Sequence, residues 1–201
     1  MVSTISKEQI ADLPVEQFNG HIIVAQNEKE VNRAVWHLSG YDKIGFDTET
    51  RPTFHKGHSH KTALMQLSTD DACFLLRLNL VGFTEPLVKL LTNPQIKKIG
   101  LSLRDDFLVM RKSSSFIPAG FVDLQTVVKN FGIEDISLQR IYAILFGKRI
   151  SKNQRLTNWE AQVLTEKQQM YAALDAWACL KIYNELEQIC NSTEKKQHGG
   201  L

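Results

Sequence analysis

The segment Lys43-Ile44-Gly45-Phe46-Asp47-Thr48-Glu49-Thr50 is an apolar strand that ends in two acids. Side chains alternate faces along a strand, so Asp47 and Glu49 leave it on one side and Thr48 on the other. Two like charges on one face repel and raise each other's pKa unless a cation compensates them. A hard divalent metal, which takes oxygen ligands, does so. An isolated Asp-x-Glu is more simply read as a solvated strand end. The weight therefore falls on whether other acids converge on the pair.

The 201 residues suit one domain, 1–201, with a core over about 21–190 and a polar, frayed tail over 191–201. Hydrophobic residues make up 43% and charged residues 23%, the balance of a globular protein. The net charge of +2 does not by itself announce a nucleic-acid binder. Cys73, Cys179 and Cys190 form no CxxC pair, which argues against a disulfide framework or a zinc site and for a reducing, cytoplasmic setting. The first residues mix Lys7, Glu8, Asp12 and Glu16 with apolar side chains, unlike a signal peptide. No apolar run is long enough to cross a bilayer, so no membrane is expected.

The spacing predicts strands at His21–Ala25, Ile44–Thr48, Ala63–Ser68, Cys73–Leu76, Lys97–Gly100 and Phe121–Asp123. Thr69-Asp70-Asp71 is a polar turn that suits a hairpin. Helices are predicted from an Asn27 cap to about Ser39, closed by Gly40, and over Glu85–Leu91, Ser102–Lys112, Leu124–Phe131 and Ser137–Phe146. Thr165, with Gln168 three residues on, opens a long final helix to about Cys190. Interleaved strands and helices with a helical end indicate an α/β fold around a central mixed β-sheet.

On that last helix Tyr171, Leu174, Asp175, Ala178, Ile182 and Leu186 share one stripe. Asp175 thus sits within the apolar face, where a carboxylate is expensive unless paired or metal-bound. Tyr171, one turn earlier, places its hydroxyl in the same neighbourhood. In the helix that begins at Ser102, Leu103, Phe107 and Met110 define the apolar face. Asp106 falls at its edge and Asp105 opposite, so Asp106 is the inward candidate.

Asp47-x-Glu49, Asp106 and Tyr171-x-x-x-Asp175 together resemble the three motifs of the DEDD exonucleases, in the subgroup with Tyr in the third motif. Lys97-Lys98-Ile99-Gly100-Leu101-Ser102-Leu103-Arg104-Asp105-Asp106 is similar to the second motif of the Werner-type and ribonuclease D-type enzymes. Ala63-Leu64-Met65-Gln66-Leu67-Ser68 is similar to the strand after the first motif. Asn158-Trp159, Leu164–Gln168 and Tyr171–Ala176 resemble the third motif with its lead-in. The resemblance covers roughly residues 21–190. It implies a ribonuclease H-like fold and 3′→5′ exonucleolytic hydrolysis of phosphodiester bonds with two divalent cations, Mg²⁺ or Mn²⁺, releasing nucleoside monophosphates. By that resemblance Asp47 would bridge both cations. Glu49 and Asp175 would complete the site of the nucleophilic water, Asp106 would hold the second cation, and Tyr171 would orient the nucleophile. A phenol with an ordinary pKa of about 10 suits positioning better than general-base chemistry.

Two segments free of acids flank the motifs. One contains Arg51, His55, Lys56, His58, His60 and Lys61, the other Arg140, Lys148, Arg149, Lys152 and Arg155. Arg51, Lys56, Lys61, Lys148, Arg149, Lys152 and Arg155 are the expected contacts to nucleic acid, chiefly single-stranded 3′ ends. Each of these is individually also compatible with a solvated loop. Three histidines without a fourth ligand make a weak zinc site, and Phe54 and Trp159 are as easily packing as base-stacking groups. DNA and RNA stay open, because no contact to a 2′-hydroxyl can be located. A non-catalytic nucleic-acid-binding module should have lost a carboxylate, and here all four acids and the tyrosine are present. A plain α/β domain would leave Asp175 in its apolar stripe without a reason.

Overall fold

The computed structural model describes residues 2–53 and 60–198, with 193–198 as backbone. In chain order the helices and strands are α1 Lys7–Ala11, β1 His21–Ala25, α2 Glu28–Leu38, β2 Lys43–Thr50, β3 Thr62–Ser68, β4 Ala72–Leu76 and α3 Leu78–Val81. There follow α4 Glu85–Thr92, β5 Lys97–Gly100, α5 Leu103–Met110, β6 Phe121–Asp123, α6 Leu124–Val127 with a 3₁₀ turn Val128–Phe131, α7 Leu138–Phe146 and α8 Glu166–His198. The six strands form one mixed sheet in the order β1-β4-β3-β2-β5-β6. β2, β3 and β4 are antiparallel neighbours, while β1 on β4, β5 on β2 and β6 on β5 are parallel.

Side chains leave β2 on alternate faces as the pleat requires. Ile44 and Phe46 join Leu67, Val31, Leu38 and Leu87 in a core under α2 and α4. The opposite face carries Gly45, Asp47 and Glu49 and is covered by α8. There Leu64, Leu75 and Ile99 pack against Ala172, Ala173 and Ala176. The run of alanines on α8 lets the helix lie close. At Gly45 the approach is so tight that an added Cβ would lie 2.1 Å from the Ala176 carbonyl oxygen.

The hairpin forms where the polar turn sits: Thr69 N–H donates to the Ala72 carbonyl at 2.8 Å, and its Oγ1 accepts from Ala72 N–H at 3.1 Å. The Thr165–Gln168 capping box forms reciprocally, at 3.0 and 3.3 Å. Several boundaries differ from the sequence reading by a residue or two, and the helix expected over Leu124–Phe131 finishes as a 3₁₀ turn; three differences have a clear physical reason. β2 runs on to Thr50, carried past Glu49 by a bulge in its pairing with β3. α2 closes on Ser39 at φ −68°, so Gly40 does not supply a left-handed cap. α8 continues to His198 in place of a frayed tail, since neither Gly nor Pro interrupts 190–198 and helix propagation is easier than nucleation. The packed core also begins before residue 21, because Ile10, Glu16 and Phe18 are buried. The helices α1 and α3, of five and four residues, are too short for periodicity to reveal.

Gly45→Ala must push α8 off β2, and overpacking of this kind costs about 1–3 kcal/mol. Urea unfolding should show that loss, and activity should fall with it, because the helix that moves carries Asp175. Wild-type stability would mean that the contact relaxes at no cost.

Candidate active site

Each acid is brought to the site by a different local rule. Asp47 and Glu49 follow from the period of two in β2. Asp175 follows from the stripe of α8 that packs on β2, and it is 8% exposed. Single carboxylate oxygens of Asp47, Glu49 and Asp175 lie within 4.8 Å of one another, the spacing of ligands around one cation. Asp106, on the first turn of α5, accepts a hydrogen bond from the Thr48 hydroxyl. Asp106 is not one of the three acids within 4.8 Å, but its charge reaches Asp47 and Glu49; it is half-buried, and Asp105 is exposed.

Two residues to which the sequence reading gives no role in the site position α5. Ser102 adopts a left-handed backbone at φ 62°, rare for a residue with a side chain. The Asp123 carboxylate holds that turn, accepting from Ser102 N–H at 3.1 Å and Leu103 N–H at 3.0 Å, and caps α6 through Gln125 N–H at 2.9 Å. An Asp between a short strand and a helix was the one available signal.

The electrostatics are those of an uncompensated cluster. Burial, then the charges of Glu49, Asp175 and Asp106, hold the Asp47 carboxyl far above the ordinary carboxylate range. Burial with Asp175 and Asp106 pushes Glu49 up to about 9, against Arg155. Burial lifts Asp106 to about 6, against its bond from Thr48. Burial lifts Asp175 to about 7, against the Tyr171 hydrogen bond and the charge of Lys152. Burial and the neighbouring Asp175 and Glu49 raise the Tyr171 hydroxyl as well, so it stays protonated and donates to Asp175. The indole of Trp159, fully buried, lies 6.1 Å from the Tyr171 ring and backs it. It is packing, not an exposed stacking surface.

Of the basic candidates, Lys152 and Arg155 reach the site. With Asp47, Tyr171, Asp175 and Cys179 they line a cleft of about 220 Å³. Lys148 and Arg149 do not. Lys148 pairs at 3.1 Å with Glu16, and Arg149 donates to the Leu13 carbonyl at 2.9 Å. Lys148 is drawn to Glu16, a buried acid that must be compensated. Burial opposes its ionisation, but Tyr142, Lys148, the Gln17 amide and Lys181 together hold it down at about 2. These two basic residues clip the N-terminal segment to the body. Arg51 is exposed and meets Glu160 at 3.5 Å, and Lys61 is exposed on the rim of a neighbouring hollow that Glu160 also lines. Lys56, with Phe54, His55 and His58, lies outside the described residues.

The fold and this acid cluster together define the class. The family profile of 3′-5′ exonucleases matches residues 22–191, and the chain belongs to that family. It is 29% identical over 201 residues to the bifunctional 3′-5′ exonuclease/ATP-dependent helicase WRN of Mus musculus, covering 94% of this chain and 14% of that protein. A 3′-5′ exonuclease of Arabidopsis thaliana is 26% identical over 201 residues, covering 92% of this chain and 70% of that protein. In structure the chain resembles the Nibbler EXO domain of Aedes aegypti, with a TM-score of 0.76 at 21% identity over 87% of this chain and 92% of that one. The fold is thus the ribonuclease H-like arrangement of such exonuclease domains. The chain spans a small part of the length of the WRN protein it matches.

All four acids are raised by folding, so the sign of the pH dependence is fixed. Above about pH 4, where carboxylates ordinarily ionise, the unfolded chain releases protons that the folded, metal-free chain retains. The folded state then binds more protons, and its stability falls as pH rises. The fall should extend to about pH 9, the value for Glu49. Melting in EDTA from pH 5 to 9 should show it. Asp175→Asn, with one charge fewer, should melt higher than wild type at pH 8, with the gap narrowing toward pH 5. A gap independent of pH would contradict this origin.

Proposed function

We propose that this chain is a metal-dependent 3′→5′ exonuclease that removes nucleoside monophosphates one at a time from single-stranded nucleic-acid ends. The observation that carries the reading is the convergence of Asp47, Glu49 and Asp175 within 4.8 Å in a half-buried setting where their charges are unbalanced. An all-oxygen, anionic donor set fits Mg²⁺ or Mn²⁺. Asp47, Glu49 and Asp175 would hold one cation, and Asp106 with Asp47 a second. When bound, such a pair supplies charge neutralisation, an activated water and stabilisation of the leaving oxygen.

The chain's own side chains do the rest. The Tyr171 hydroxyl, kept protonated and tied to Asp175, orients the attacking water without taking its proton. Water oxygen bonds to phosphorus and gives up a proton to solvent, the bond from phosphorus to the 3′-oxygen breaks, and that oxygen takes up a proton in turn. The products are a 5′-mononucleotide and a strand one residue shorter. Lys152 and Arg155, at the mouth of the cleft, receive the backbone phosphates.

Digestion of 5′-labelled DNA and RNA oligonucleotides in Mg²⁺ and Mn²⁺ tests the reading. Wild type should give a ladder shortening from the 3′ end. Asp47→Asn should abolish it and still bind the strand, whereas full activity of that variant would overturn the reading. Tyr171→Phe should lower turnover roughly ten- to a thousandfold, about 1.4–4 kcal/mol of barrier, with unchanged Mn²⁺ affinity.

The two pairs of basic residues should separate cleanly. Neutralising Lys152 and Arg155 should weaken strand binding and reduce the salt slope by about 1.4, at about 0.7 per phosphate contact. Neutralising Lys148 and Arg149 should lower the melting temperature and leave that slope alone. An unchanged slope in the first pair would remove it from the strand's path.

A further inference from the structure

Gln66 stands directly opposite Asp47 in the β2–β3 ladder. Residues so paired leave an antiparallel sheet on the same face, with Cβ atoms about 4.5–5.5 Å apart. Gln66 is fully buried, and among the described residues neither its Oε1 nor its Nε2 has a hydrogen-bond partner. Its other cross-strand partner is Leu75, and its neighbours on the same face of β3 are Leu64 and Ser68; Leu75 and Leu64 belong to the apolar core beneath α8, and the Ser68 hydroxyl is already given to the Thr69 and Ala72 carbonyls. An apolar side chain of similar volume would suit that place better, since a buried amide without partners loses its hydration and gains nothing. Buried polar groups in folded proteins are otherwise nearly always satisfied. An exception this close to a cluster of acids calls for a partner present only in the working state.

We infer that Gln66 is a positioning residue for Asp47: its carboxamide N–H donates to the Asp47 carboxylate and fixes that carboxylate's orientation toward the cation. This rests on the metal-dependent reading above. An ionised carboxylate engaging a cation through one lone pair keeps others free for a donor, and such supporting bonds orient metal ligands generally. Asp47 has a neighbour able to serve in this way on the sheet itself. β5, its other flank, pairs with β2 only as far as Gly45. The carboxamide therefore lies on the flank of Asp47 that β3 alone can support, and it is held there by the ladder, not by a loop. Gln66 touches no substrate in this scheme and acts through Asp47.

The test compares wild type, Gln66→Leu, Gln66→Met and Asp47→Asn by Mn²⁺ titration followed by electron paramagnetic resonance, with metal-free melting temperatures measured in parallel. If Gln66 positions Asp47, the Leu and Met variants keep or exceed the wild-type melting temperature in EDTA yet bind Mn²⁺ about 10- to 100-fold more weakly. Wild-type Mn²⁺ affinity in a folded Leu or Met variant overturns the inference and leaves the metal site standing. Failure of both variants to fold also overturns it, by making the amide structural. If wild type binds no Mn²⁺, or binds it no better than Asp47→Asn, the metal-dependent reading itself falls and this inference with it.

Discussion

The backbone of α8 touches the backbone of β2. At Gly45 the Ala176 carbonyl oxygen occupies the space a Cβ would need, and the rest of the site depends on that contact. Asp175 immediately precedes Ala176, so the same approach that seals the sheet brings Asp175 against Asp47 and Glu49. Tyr171, one turn back on α8, follows without further adjustment. The segment entering α8 brings Lys152 and Arg155 to the cleft and seats Trp159 behind Tyr171. A glycine in a strand and alanines on the helix it faces thus shape the candidate site, although none of them carries chemistry.

That packing has an electrostatic consequence. It gathers carboxylates where water solvates them poorly, and the fold compensates them incompletely. Thr48 serves Asp106, Tyr171 and Lys152 serve Asp175, and Arg155 serves Glu49. None of these is a direct ion pair of the kind that helps hold Glu16 ionised. The contrast is informative because both environments are built by one chain. Where an acid serves structure, two lysines and a tyrosine hydroxyl converge on it. In the proposed cation site the charge is left for a ligand to balance, at a cost in metal-free stability that grows with pH. Sites that must bind a cation commonly carry such a cost.

How much of this the sequence discloses depends on range. Asp47, Glu49 and Asp175 are legible because strand and helix periods are local, and a polar residue within an apolar stripe is conspicuous. Asp106 is separable from Asp105 for the same reason. The basic segments are not sorted by any local rule. Lys148 and Lys152 are only four residues apart in sequence, but one turns to Glu16, 132 positions earlier, and the other to the cleft. A count of charges along the chain carries no direction. Gln66 is similarly silent: a glutamine within a strand reads as ordinary polarity until the ladder shows that it faces Asp47. Asp123 is hidden by its distance in sequence from Ser102, whose left-handed turn it holds. The continuation of α8 past Cys190 is a matter of propagation, which composition alone underestimates.

If the acid cluster is a cation site, its partly buried, mutually repelling carboxylates hold protons until the cation arrives. Ligation requires the ionised form, so binding must release protons. Calorimetric titration with Mn²⁺ near pH 7, repeated in buffers of different ionisation enthalpy, counts them directly. Glu49, at about 9, should alone contribute close to one proton, and the cluster somewhat more. Release should shrink as pH approaches 9. Tight Mn²⁺ binding with no proton released at neutral pH, or no binding at all, would contradict the claim.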